Sequence, residues 1–188
     1  NTQTAIVQIG KIRQLLERLN ASWLIYTIPS LGDDDKSIIF CEYTESVAYL
    51  ADEFAKAGIQ TVTFTGSNSG TRKQKAIDTF MSDPAVKVFI GTTKAAGVGL
   101  NLVAANYVFF ASLPWTAAAK RQAEDRAYRN GQKRAVTVLM PVISGTIDAQ
   151  VVLLLQHKES IEQDLLDDSV QDPGLVEEQM AAKLFNAA

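Results

Sequence analysis

Apolar residues recur along this chain in two alternating modes, a three-to-four spacing and short unbroken runs. Ile9, Ile12, Leu15, Leu16 and Leu19 repeat at helical spacing, which predicts a helix over Ala5–Leu19 that packs on a core. Ser22–Ile28 fits either a continuation of that helix or a short extended run, and Pro29–Lys36, with Asp33, Asp34 and Asp35, predicts a solvated loop. Five apolar runs then predict strands: Ser37–Cys41, Thr61–Phe64, Val86–Ile90, Tyr107–Ala111 and Ala135–Pro141. Between them the pattern predicts helices over Glu45–Lys56, closed by Gly58, and Thr71–Met81, ended near Pro84, with a further helix after Pro114. Strands alternating with helices at these lengths imply an α/β fold, a parallel sheet with helices on both faces.

After Thr146 the pattern changes. Ile147, Val151, Val152, Leu154, Leu155 and Ile161 keep a helical period while the chain turns acidic. From His157 onward there are eight acidic residues and two lysines, so a formal net charge of −3 conceals +3 over residues 1–156. Lys120–Arg134 alone carries six basic and two acidic side chains. Basic charge is concentrated there, compatible with a local phosphate site without requiring a nucleic acid.

At 188 residues the chain has the length of one ordinary domain. No apolar run reaches the length of a membrane span and no signal peptide opens it, which points to an intracellular protein without choosing between a nucleus and a bacterial cytoplasm. The first residue, Asn1, suggests a fragment of a longer chain. A single cysteine excludes an internal disulfide, and one cysteine with one histidine does not build a zinc site of the usual kind. Cys41 lies in an apolar run and is expected to be a buried structural thiol, while His157 is expected to be exposed.

Two segments carry candidate chemistry. Arg126 and Arg129 are three apart; on a helix that spacing directs both guanidiniums the same way, about 5–6 Å apart at Cβ. Paired planar forks suit a polyphosphate, although a solvated helix face with ion pairs to Glu124 and Asp125 fits the spacing equally well. Upstream, Gly91-Thr-Thr-Lys-Ala-Ala-Gly-Val-Gly-Leu-Asn-Leu102 follows the apolar run ending at Ile90. A glycine- and hydroxyl-rich loop at the carboxyl end of a strand is how α/β proteins present backbone amides to a ligand.

Taken together, Lys36–Thr44, Thr65–Ser69, Gly91–Leu102, Trp115 and Gln122–Gln132 resemble the second half of the motor in the SWI/SNF family of superfamily-two DNA translocases. The Gln-x-x-x-Arg-x-x-Arg-x-Gly-Gln pattern is quite specific to that family, and Trp115 precedes Gln122 by the family's seven residues. The likeness runs from about Lys36 to Ile147. Departures are Thr116-Ala117 for the usual Asn-Pro, Ala96-Gly97 for Gly-Gly, and Tyr128 and Asn130 for the usual His and Ile; they bear on the subfamily.

The resemblance implies a RecA-like lobe of the P-loop NTPase type, a three-layer sandwich with a C-terminal helical extension. Its divisions would be residues 1–36 as a lead-in helix and loop, 37–147 as the helicase C-terminal domain, and 148–188 as a helical brace and acidic tail. Neither Gly-x-x-x-x-Gly-Lys-Ser/Thr nor Asp-Glu-x-His occurs in the sequence. ATP and Mg²⁺ would therefore be bound mainly by an N-terminal lobe of the same protein, and this chain alone would not hydrolyse ATP. Arg126 and Arg129 match the family's arginine fingers, and Gln122, Gly97 and Gly99 its nucleotide-side residues. Thr65, Gly66 and Ser67, with Thr92, Thr93 and Lys94, match segments that grip the backbone of double-stranded DNA, and Trp115 matches a coupling residue. The tail offers itself to protein partners. Two other classes stay open: a superfamily-two motor on RNA or single strands, and a non-catalytic interaction module.

Overall fold

The computed structural model describes residues 2–96, 99–114 and 116–153. Five strands, β1 (Ser37–Cys41), β2 (Gln60–Phe64), β3 (Val86–Thr92), β4 (Tyr107–Phe110) and β5 (Thr137–Leu139), form one sheet in the order β2-β3-β1-β4-β5. Every neighbouring pair is parallel. β1 is buried along its whole length and most of β3 is too, which is why both read as unbroken apolar runs. β5 is shorter than Ala135–Pro141 and only partly buried.

Side chains alternate between the faces. Phe40, Phe89, Val108 and Phe110 point to one side, where α3 (Gly70–Ser82), α4 (Thr93–Ala96) and α5 (Ala117–Glu124) cover them. Ile39, Cys41, Ile90 and Phe109 point to the other, beneath α1 (Thr2–Thr27) and α2 (Thr44–Lys56). The two helical layers and the sheet make the three-layer RecA-like sandwich. Cys41 is fully buried, and burial, aided by the nearby Glu17, pushes its thiol well up from the ordinary value.

Residues 22–27 continue α1, and Ile28–Ser30 closes it as a 3₁₀ turn. The face that α1 presents differs from the predicted stripe. Ile9 and Leu16 are buried, but Ile12, Leu15 and Leu19 are 45%, 62% and 50% exposed. Arg13, Glu17 and Asn20 take the inward positions because each reaches backbone at the carboxyl end of the sheet. Arg13 donates to the Leu113 carbonyl, Asn20 donates to the Ala111 carbonyl at 3.0 Å, and the Glu17 carboxylate accepts from the Glu42 and Tyr43 amides at 2.7 and 3.1 Å. Burial raises Glu17 above its ordinary 4.5, against hydrogen bonds from Ser46, those two amides and Ser112.

Strand register levels the site-bearing loops. Phe40 and Phe64 both sit opposite Gly91, and Cys41 opposite Thr92. The segments after β1, β2 and β3 therefore emerge side by side along one edge. Gly91 suits this closeness: a Cβ there would crowd the Phe64 carbonyl and Ala96 Cβ at 3.1 Å each and push them back by a few tenths of an ångström. After β5, a helix is described over 147–153, and its Ile147 and Val151 bury against Ile9, Leu16 and Leu113.

Candidate functional site

Two of the expected backbone-gripping segments lie together on the carboxyl edge. After β2, Thr65 is buried while Gly66 and Ser67 are exposed. The loop is held by its own polar groups: the Thr65 amide donates to Asn68 Oδ1 at 2.7 Å, and the Thr65 and Ser67 hydroxyls share a 2.9 Å bond. Ser69 then caps α3 by accepting from the Arg72 amide at 3.4 Å. At the end of the neighbouring β3, Thr92 is buried; Thr93 then donates its hydroxyl to the Cys41 carbonyl at 3.3 Å, and Lys94 is exposed on the one-turn helix α4. Gly66, Ser67 and Lys94 are thus the groups facing solvent, and Thr65, Thr92 and Thr93 brace them from within.

The arginines take a different route from a continuous helix. α5 ends at Glu124, and Arg126 and Arg129 lie in the turns beyond it. At Asp125 ψ relaxes to −10°, and the Arg126 amide bonds the Ala123 carbonyl, three residues back. That leaves the Gln122 carbonyl without its α-helical partner, and Arg126 Nε takes it at 2.7 Å. The helix stops, in effect, where Arg126 substitutes its side chain for its own backbone.

Both guanidiniums still turn the same way. Arg126 Nη1 contacts the Leu100 carbonyl at 3.4 Å, and Arg129 Nη1 contacts the adjacent Gly99 carbonyl at 3.5 Å. Gly99 has φ +65°, a left-handed conformation that glycine adopts freely. The Leu102 amide adds a 2.9 Å bond to the Arg126 carbonyl. Arg126 is only 5% exposed, whereas Arg129 is exposed. Burial, and then the charge of Arg129, lower the basicity of the Arg126 guanidinium, with Asp125 acting the other way. Gln122 is exposed one turn before the arginines.

Arg129 opens onto a concavity lined also by Asn101, Tyr128, Asn130 and Gln132. Asn101, Asn130 and Gln132 stand inside the recognised motifs but carry no predicted role; for Gln132 the reason is that side-chain bonds to backbone leave no periodic signature. Tyr128, in the family's His position, donates to the Val136 carbonyl at 2.8 Å and so ties the turn to the segment entering β5. Among the described residues, no group of three His, Cys, Asp or Glu comes together to hold a metal.

The basic run does not act as one patch. Lys120 pairs with Glu124 at 3.5 Å, the local ion pairing that its sequence permits. Arg134 leaves the site altogether and binds Asp35 at 2.5 Å and the Asp34 carbonyl at 2.8 Å. Loss of solvent acts to raise Asp35, but bonds from Asn106, Arg134 and Gly32 prevail and hold it below its ordinary value. Gly97, Trp115, His157 and the acidic tail lie outside the described residues. Beside Trp115, Pro114 is buried, Thr116 caps α5 by accepting from the Ala119 amide at 3.1 Å, and Ala117 is buried in its first turn. The Thr-Ala departure thus keeps a capping side chain and gives up only a proline at the first helical position.

Comparison with known proteins agrees with this fold. The family described as helicase conserved C-terminal domain matches residues 11–131. DNA repair protein rad8 of Schizosaccharomyces pombe is 33% identical over 130 residues, 69% of this chain and 12% of that protein. Helicase-like transcription factor CHR28 of Arabidopsis thaliana is 34% identical over 133 residues, 71% of this chain and 14% of that protein. This chain therefore spans about an eighth of the curated relatives it matches. The crystal structure of the C-terminal part of the Fun30 ATPase domain superposes with a TM-score of 0.63 at 28% identity, covering 81% of this chain and 48% of that one. The chain belongs to the helicase conserved C-terminal domain family, as the RecA-like C-terminal lobe of the SWI/SNF group of ATP-dependent helicases.

Proposed function

We propose that this lobe completes, from across a cleft, the ATP site of a chromatin-remodeller-type motor that moves along double-stranded DNA. The observation that carries the reading is the arginine turn docked on the glycine loop, with Arg129 exposed over a concavity and Arg126 locked behind it. In a superfamily-two motor the phosphate-cradling loop and the carboxylates for Mg²⁺ come from the first lobe, so Mg²⁺ enters this proposal as that lobe's ligand. Arg129 supplies positive charge to the transferring phosphoryl group. Arg126 sets the loop in place and joins Arg129 at the phosphates only when it leaves the Gln122 carbonyl. Gln122, Gly97 and Gly99 flank the nucleotide.

On the same edge, Gly66, Ser67 and Lys94 meet DNA phosphates, steadied by Thr65, Thr92 and Thr93. Such contacts position a duplex without reading its sequence and give salt-sensitive binding. Nucleotide bridging the lobes favours the closed state and hydrolysis releases it, shifting the grip along one strand, with Trp115 in the segment between the two functions. Similarity to a DNA repair protein supports a role in repair, which we place in a nucleus, and the acidic tail is available to protein partners.

ATP turnover by the intact parent protein, with double-stranded DNA, single-stranded DNA, RNA or no polymer, tests the reading, with this lobe alone as control. Strong stimulation by duplex and a silent isolated lobe is the expected outcome. Stimulation by RNA or single strands transfers the lobe to a helicase of that kind. No turnover under any condition leaves a protein-interaction module.

A further inference from the structure

The Gln132 side chain joins segments that are distant in sequence. Its Nε2 donates to the Ala105 carbonyl at 2.7 Å and to the Val103 and Ala127 carbonyls at 3.2 Å each. Two N–H groups serve three acceptors, so at least one is shared. Its Oε1 accepts from the Arg134 amide at 2.9 Å, so the whole amide is engaged. One bond ends on Ala127, inside the arginine turn, and two end on the stretch that leaves the glycine loop.

Gln132 also brackets Arg129. Its side chain holds the Ala127 carbonyl two residues before the arginine, and its backbone amide donates to the Arg129 carbonyl at 3.0 Å. Among the described residues the Arg129 guanidinium makes one long contact, to the Gly99 carbonyl at 3.5 Å, and Arg129 is exposed over the concavity that Gln132 helps to line. Its own side chain does little to fix where it stands. The backbone beneath it does, and the Gln132 amide ties that backbone to the exit of the glycine loop, beside the Leu102 amide's bond to the Arg126 carbonyl further back in the turn.

We propose that Gln132 is a positioning residue for Arg129: its amide locks the arginine turn to the exit of the glycine loop and so sets the reach of the Arg129 guanidinium into the cleft. The inference rests on the finger role proposed above. A misplacement of about 1 Å at a reacting centre costs up to about 10²-fold in rate, and a finger acts on the transition state more than on bound ATP. Loss of the latch is therefore expected to lower kcat and to leave the KM for ATP nearly unchanged.

The test is duplex-stimulated ATP turnover by the intact parent protein carrying Gln132→Glu, Arg129→Ala or both. Q132E keeps the size of the side chain and an acceptor for Arg134 but loses both donors. Gln132→Met, similar in size and without hydrogen bonds, carries the same comparison should Q132E not fold. The expected result is a fall in kcat of up to about 10²-fold for either Gln132 variant, a KM within about two-fold, and no further loss in the Arg129→Ala background. A kcat within about two-fold of the parent, or losses that multiply in the double variant, would overturn it. If Arg129→Ala alone leaves turnover intact, the finger assignment fails, a result distinguishable from failure of the latch.

Discussion

Two regions of the molecule are held by different means: the sheet face under α1 and α2, and the surroundings of the glycine loop. Under α1 and α2, large side chains do the work: Leu24, Leu50, Phe54, Ile39, Ile90 and Phe109 are all fully buried in one cluster. Around the glycine loop the buried side chains are mostly small, with Ala96, Leu102, Ala105, Ala123 and Ala127 beneath helices of only four and eight residues. What fixes the chain there is polar: Arg126 on the Gln122 and Leu100 carbonyls, and Gln132 on Val103, Ala105 and Ala127. Apolar burial contributes about 25 cal/mol per Å², so large side chains make the first face robust. A hydrogen bond nets only about 0.5–1.5 kcal/mol. The glycine-loop region is geometrically specific but weakly held, which suits a region that must rearrange when a ligand arrives.

Four substitutions can break or sharpen that contrast. The largest effect on stability is expected for Leu50→Ala, fully buried on the α2 face. A cavity there costs about 2–5 kcal/mol, read as a lower denaturant midpoint, while ATP turnover well below the melting temperature stays near that of the parent. Arg126→Ala comes next and reverses the balance. It strips partners from the Gln122 and Leu100 carbonyls, a cost of about 1–3 kcal/mol, and turnover falls out of proportion to the loss of stability. Equal behaviour of L50A and R126A in both assays would dissolve the contrast.

Glu17 adds a pH test of the polar seam under α1. Its folded-state value is raised above 4.5 by burial, so its contribution to stability is full below 4.5 and lost as pH rises through the raised value. Asp148, likewise raised above 3.8 by burial against Arg13 and Asn20, adds a slope of the same sign. Asp35, lowered from 3.8, acts oppositely and loses its share only at lower pH. Glu17→Gln leaves one oxygen for two amides and costs about 1–2 kcal/mol near the low end of that window. The difference from the parent lobe then narrows as pH rises, leaving only the slope from Asp148; urea midpoints across the window measure it. Smallest is Arg134→Ala. Its partner Asp35 is largely covered but Arg134 is half exposed, so at most about 1 kcal/mol is lost and turnover is unchanged.

Much of this molecule was legible in its sequence, for reasons tied to particular residues. All five described strands stand where apolar runs predict them; β1, β3 and β4, covered on both faces, have no polar alternation to confuse the pattern. The segments around Thr65, Gly91 and Arg126 were visible through residue type and spacing, and strand register brings the first two to one edge. Periodicity failed at α1, where Arg13, Glu17 and Asn20 occupy the inward face and Ile12, Leu15 and Leu19 stay exposed. A polar side chain that serves backbone groups is indistinguishable in sequence from a solvated one. The same limit hid the end of α5 at Glu124, where the Arg126 side chain takes the Gln122 carbonyl, and the latch at Gln132, which reaches carbonyls distant in sequence.

The central claim is that this lobe supplies charge to an ATP site completed elsewhere, and Arg129→Ala in the intact parent tests it most directly. Turnover at saturating ATP and duplex DNA is predicted to fall about 10³-fold or more, the scale on which an arginine finger acts, with the KM for ATP little changed. Turnover within a few-fold of the unaltered parent would contradict the account.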